Sequence, residues 1–136
     1  MDDFAERRFV AAFICKERRE RLLYELTTPA KRYRGISRFC HGAGGLLDPA
    51  RIAMHGEDLD DRPAFADFVA RHDEVCLVLS PDPALDGRQL PLRDAVVQAM
   101  VCPDAVLILG DTFAVVFAEA MKGGREKYLL TTPREK

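Results

Sequence analysis

Four residues suited to holding negative charge stand close together in this chain: Lys31, Arg34 and Arg38 at i, i+3 and i+7, with His41 another turn along. On a helix that spacing puts them on one face. Such a ridge can hold phosphates, each of which releases counterions when neutralised and so adds salt-sensitive affinity. The glycine-rich loop that begins at His41 and runs through Gly45 could add backbone amides as an anion nest. No acidic residue occurs from Leu26 through Leu47, so these cations have no carboxylate nearby in the chain. Residues 16–41 hold eight Lys or Arg against three Glu, whereas the remainder carries 12 basic against 19 acidic side chains. The positive excess is therefore local, in a chain of net charge −2 and isoelectric point near 5.9. A solvated helix face balanced by acidic residues elsewhere in the fold accounts for the same pattern. Four cations on an acidic chain are also few for a dedicated nucleic-acid surface. The partner class expected of the ridge is an acidic protein or a nucleic acid.

Two other groupings could do chemistry. Cys40 and His41 have the residue types of a nucleophile and its base, but neighbours on a helix point about 100° apart and cannot meet, so each would need a distant partner. Cys40 is more simply a core residue. The loop from His55 to Asp61 gathers one imidazole and four carboxylates that could bind a divalent cation. It lacks the ligand order of a calcium loop, and carboxylates ahead of a helix suit the positive end of its dipole, so no metal is assigned. Asp82, Asp86 and Asp111 each sit beside Pro or Gly and read as turn residues. Neither glycine-rich phosphate motif is present, Gly35-Ile36-Ser37-Arg38-Phe39 lacks the closing glycine of a hydrolase elbow, and no cofactor is expected. These features favour a non-enzymatic binding or regulatory module. The alternatives are a small enzyme working through Cys40, His41 or the His55–Asp61 loop, and a homo-oligomer that buries an apolar sheet edge.

The elements that must position these residues follow from hydrophobic spacing. Residues 16–27 carry Leu22, Leu23 and Leu26 on one side and charges on the other, with Glu17 and Arg21 placed to pair, which predicts an amphipathic helix. Thr28-Pro29 predicts a new helix start, with Tyr33, Ile36 and Cys40 as its buried stripe and Gly42, Gly44 and Gly45 as its end. Residues 3–14 suit a helix, or a short buried strand over 9–14. Residues 46–62 read as a connector, and Pro63 to His72 as a helix. Val75 to Leu79 reads as a buried strand, Leu92 to Met100 as a helix stopped by Pro103, and Asp86-Gly87 as a turn. Ala105 to Leu109 and Phe113 to Ala118 flank Gly110, whose freedom to take positive φ suits a hairpin, and Lys127 to Thr131 supplies a last strand. The expected architecture is α/β of the α+β kind. A helical N-terminal half packs mainly on one face of a small mixed sheet of three to four strands from the C-terminal half.

The stretches KERRERLLYELTTPAKRYRGI, LLDPARI and LSPDPALDGRQLPLRDAV resemble a small bacterial group of uncharacterised proteins. The resemblance implies a compact cytoplasmic domain and brings no activity, cofactor or catalytic residue. The 136 residues are 48% hydrophobic and 31% charged, the balance of a chain that folds around one core, and no linker or repeat divides them. The acidic start MDDFAERR lacks the charge and apolar run of a secretory signal, and no apolar run approaches the roughly 20 residues that span a bilayer. A cytoplasmic protein with no membrane partner is expected. The four cysteines show no zinc-ligand spacing and read as reduced thiols.

Overall fold

The computed structural model describes residues 3–119 and 125–132. Helices α1 (Phe4–Phe13), α2 (Arg19–Thr27), α3 (Arg32–His41) and the single turn α4 (Ala43–Leu46) come first. Strand β1 (Ile52–His55) and α5 (Pro63–Arg71) follow. Then come β2 (Val75–Leu79), β3 (Gln89–Pro91), α6 (Leu92–Val101), β4 (Val106–Leu109), β5 (Phe113–Glu119) and β6 (Arg125–Thr131). The class is α+β. Among the described residues, no helix is long and apolar enough to cross a membrane.

The sheet has six strands in the order β1-β6-β5-β4-β2-β3, every pairing antiparallel. This enlarges the expected three to four strands and replaces the expected mixed sheet. The two extra strands, β1 and β3, are short edges of four and three residues. Both faces are covered, not mainly one. Because side chains alternate along a strand, Leu107, Leu109, Ala114 and Val116 point to α1–α3, where Phe9, Phe13, Leu22, Ile36 and Phe39 meet them. Val106, Ile108, Val115 and Phe117 point the other way, to Phe65 and Phe68 of α5 and Ala95 and Ala99 of α6. A bulge in β1 between Ile52 and Met54 sends these two residues, which regular alternation would put on one side, toward opposite cores.

Two turns need their glycines for different reasons. Gly87 has φ of 86°, the left-handed region its turn requires, and donates its amide to Val78 O. Gly110 does not take positive φ; a Cβ there would lie 2.3 Å from the Phe113 ring, so the hairpin needs an absent side chain and not a special dihedral. The four cysteines are free thiols, three of them buried. Burial, reinforced by Glu74 and Asp73, pushes the Cys76 thiol up to about 12.

Candidate functional site

The α2–α3 hairpin is joined by a single 3-10 turn, Pro29–Lys31, so the helices pack side by side. Gly35 lets them approach: a Cβ there would fall 2.7 Å from Cβ of Glu25. α3 therefore buries Gly35, Ile36, Phe39 and Cys40, and Tyr33, expected on the inner stripe, is 67% exposed. Thr28 starts the turn as expected but makes no capping hydrogen bond with its side chain.

Glu25 is the hub of this seam. Its carboxylate is buried, and Oε1 accepts from Nε and Nη2 of Arg38 at 3.1 and 2.5 Å. Oε2 lies 3.7 Å from Nε of Arg21, one turn back on α2. Two guanidinium groups from different helices thus share one negative charge, leaving a positive surplus beside the seam. Arg21 turns to Glu25 and not to Glu17, the partner expected from spacing. Sequence reasoning passed over Glu25 and Gly35, although each gave a signal: a Glu between Leu22 and Leu26 sits at the border of the apolar stripe, and a glycine within a helix marks close packing.

Of the ridge residues, Arg38 is therefore engaged by a carboxylate. Arg34 is exposed and Lys31 half-buried, and among the described residues neither makes an ion pair. His41 ends α3 exposed to solvent. The loop after it does not form a free nest, because residues 43–46 make a helical turn whose Ala43 and Leu46 are buried.

Arg32, between these cations in sequence, points inward. Its Nη1 donates to Glu6 Oε2 at 2.9 Å and to Leu26 O at 3.1 Å; Nε and Nη2 grip both oxygens of Asp86 at 2.9 and 3.2 Å. Burial opposes the charge on Arg32, and the bonds from Asp86 and Glu6 outweigh it, so its pKa is raised above the ordinary arginine value. Two of the four cations of this segment, Arg32 and Arg38, thus find carboxylates through the fold. Asp86, read as a turn residue, also accepts from Ser80 N and ties the β2–β3 turn to α3.

The other groupings are taken apart by the structure. Cys40 is 1% exposed in the core beneath the sheet while His41 faces outward, so the two side chains diverge. In the His55–Asp61 loop, Asp58 holds Arg62 at 2.8 Å and Asp60 holds Lys127 at 2.6 Å. The His55 ring stacks on Tyr128 at 5.8 Å. Burial, with Glu126 adding to it, raises the Tyr128 pKa. The one group of candidate metal-ligating atoms among the described residues lies elsewhere, where Asp82, Cys102 and Asp104 come within 4.8 Å of one another. One oxygen of Asp82 is already taken by Ala84 N.

No family model, curated protein or solved structure matches this chain.

Proposed function

We propose that this protein is a non-enzymatic binding module whose α2–α3 face docks an acidic partner. The observation that carries this reading is the split among the cations. Arg32 and Arg38 are consumed by carboxylates of the fold, while Lys31, at the end of the 3-10 turn, and Arg34, on α3, meet none among the described residues. An unpaired cation gains most from an incoming carboxylate or phosphate, because no internal bond is given up to make the new one. Arg21 and Arg38 reinforce the field, since among the described residues they meet between them only the one charge of Glu25.

The test uses two defined probes, a fluorescent poly-glutamate peptide and a fluorescent single-stranded oligonucleotide, titrated at about 50 and 200 mM salt, where counterion release separates ionic from other binding. The double variant Lys31→Glu, Arg34→Glu is expected to lose at least tenfold in affinity for the probe that binds, and to flatten its salt dependence. Its melting temperature should stay within about 2 °C, because among the described residues neither side chain makes an ion pair that the change would break. Failure of both probes to bind at low salt, or equal binding by the variant, overturns the reading.

A further inference from the structure

The α2–α3 face carries aromatic rings as well as cations. Tyr24 on α2 and Tyr33 on α3 are 57% and 67% exposed. The close approach of Glu25 and Gly35 marks the sides on which the two helices meet, and each residue turns the helix by about 100°. On α2, Arg21 therefore lies about 40° from Glu25, and Tyr24 about 60° farther from the seam. On α3, Arg38 lies about 60° from Gly35, Arg34 about 40° beyond it and Tyr33 about 100° beyond that. Across the hairpin the order is Tyr24, Arg21, Arg38, Arg34, Tyr33, with Lys31 at the turn end: a band of cations with a ring at each margin. Tyr24 adjoins Glu25 and Tyr33 stands two residues before Gly35, so both rings lie within about one helical turn of the same level. Glu20 lies about 40° beyond Tyr24, outside the band.

We infer that this face binds single-stranded nucleic acid, with phosphates on Lys31 and Arg34 and unpaired bases stacked on Tyr24 and Tyr33. The inference rests on the docking function proposed above and names its partner. Cations alone do not choose between a carboxylate-rich protein and a nucleic acid; the rings do. A polycarboxylate satisfies the cations and leaves both rings in water. A duplex also satisfies them, but its base faces are hidden in the stack. A strand with free bases brings negative charge and flat rings along one chain, and a cationic track lined by aromatic side chains is how sequence-tolerant single-strand binders hold it.

The cations set the strength. Lys31, Arg34, Arg21 and Arg38 against Glu25 leave a net of three positive charges in the band. For a single strand, about three neutralised phosphates give a slope of log affinity against log salt near −2, a weakening of roughly 20-fold between about 50 and 200 mM. This is a site for a few nucleotides, the scale that suits a chain of isoelectric point near 5.9, and not an extended track.

Fluorescence anisotropy on the full chain at these two salt concentrations tests it with four labelled probes. They are an oligothymidylate of about 12 nucleotides, an abasic strand with the same phosphates, poly-glutamate, and a glutamate–tyrosine copolymer that brings rings to an acidic polypeptide. Oligothymidylate should bind best, and the abasic strand at least fivefold more weakly. Tyr24→Ala and Tyr33→Ala, at exposed positions, should each lower affinity for oligothymidylate about fivefold or more, the low end of what one stacked base contributes, and leave poly-glutamate binding unchanged. Tyr24→Phe and Tyr33→Phe keep the ring and should keep the affinity. Alanine variants that bind oligothymidylate as the wild type does, or equal binding of the abasic strand, overturn the inference. So does a copolymer that binds as tightly as oligothymidylate and loses as much on Tyr24→Ala, which would make the partner an acidic protein. In each of these cases the docking function stands; if no probe binds at low salt, the docking function falls and the inference with it.

Discussion

Replacing Arg32 by Met tests whether the ion network beneath the hairpin holds the fold together. Met keeps most of the apolar stem and removes five donors. Glu6, whose side chain is 5% exposed, then loses its ion partner, and its second oxygen has no hydrogen bond among the described residues to fall back on. Asp86, at 22% exposure, keeps only Ser80 N among its bonds to the core. Removing one member of a buried ion pair costs roughly 3–5 kcal/mol, because the other charge is stranded. Arg32 and Asp86 retain 20% and 22% exposure, so water takes up part of the loss and the lower end, about 3 kcal/mol, applies. With about 2.1 cal/mol/K of unfolding entropy per residue over 136 residues, that is a fall in Tm of about 10 °C. The assay is thermal and urea denaturation at neutral pH, followed by circular dichroism. The companion variant Arg32→Met, Glu6→Met removes the stranded charge too and should recover at least half of the loss. A single variant within about 1 kcal/mol of the wild type, or a double variant less stable than the single, would show that Glu6 is not held by Arg32 in the way described.

Gly35→Ala should lower Tm by about 3 °C, because the overpacking cost of about 1–3 kcal/mol against Glu25 exceeds the gain of about 1 kcal/mol in helix propensity; a rise in Tm, as at an uncrowded helical glycine, would contradict the close approach of α2 and α3. Cys76 gives an alkaline limb to stability: its thiol is raised by burial to about 12, so between about pH 9 and 12 the unfolded chain releases a proton that the native chain keeps. Its contribution is whole below that window and is lost at up to about 1.4 kcal/mol per pH unit through it, and Cys76→Ala should flatten the urea midpoint over the same range.

The strongly patterned elements were legible. The runs at Val75–Leu79 and Val106–Leu109, and the helices at Pro63 and Leu92, stand where hydrophobic spacing puts them. β1 was not, for a local reason: its four residues lie between Asp48-Pro49 and Gly56, and the bulge breaks the alternation that would have announced it. Strand direction was not either, because a period of two is the same in parallel and antiparallel strands. On α3 hydrophobic spacing places Ile36 and Cys40 correctly but adds the exposed Tyr33 and omits the buried Gly35 and Phe39, because residue polarity does not say that Gly35 admits a neighbouring helix. The partners of Arg32 lie 26 and 54 residues away in the chain, and a search for nearby carboxylates does not reach them.

Those distant carboxylates explain how a run of cations with the same composition divides into two roles. Glu6 and Glu25 are both buried, 4% exposed, on helices that pack against the segment carrying Lys31, Arg32, Arg34 and Arg38. A buried carboxylate must be neutralised, and only cations whose helical position points inward can reach it. Arg32 and Arg38 have that position; Lys31 and Arg34 do not. Paired and, among the described residues, unpaired cations therefore alternate along a few residues of chain, and if the proposed function holds, mutation should separate them by readout. Changes at Arg32 and Arg38 fall first on stability, and changes at Lys31 and Arg34 fall on affinity for an acidic probe. Were all four to affect stability alike, the segment would be one packed network, and the hairpin face would have no cation left to offer.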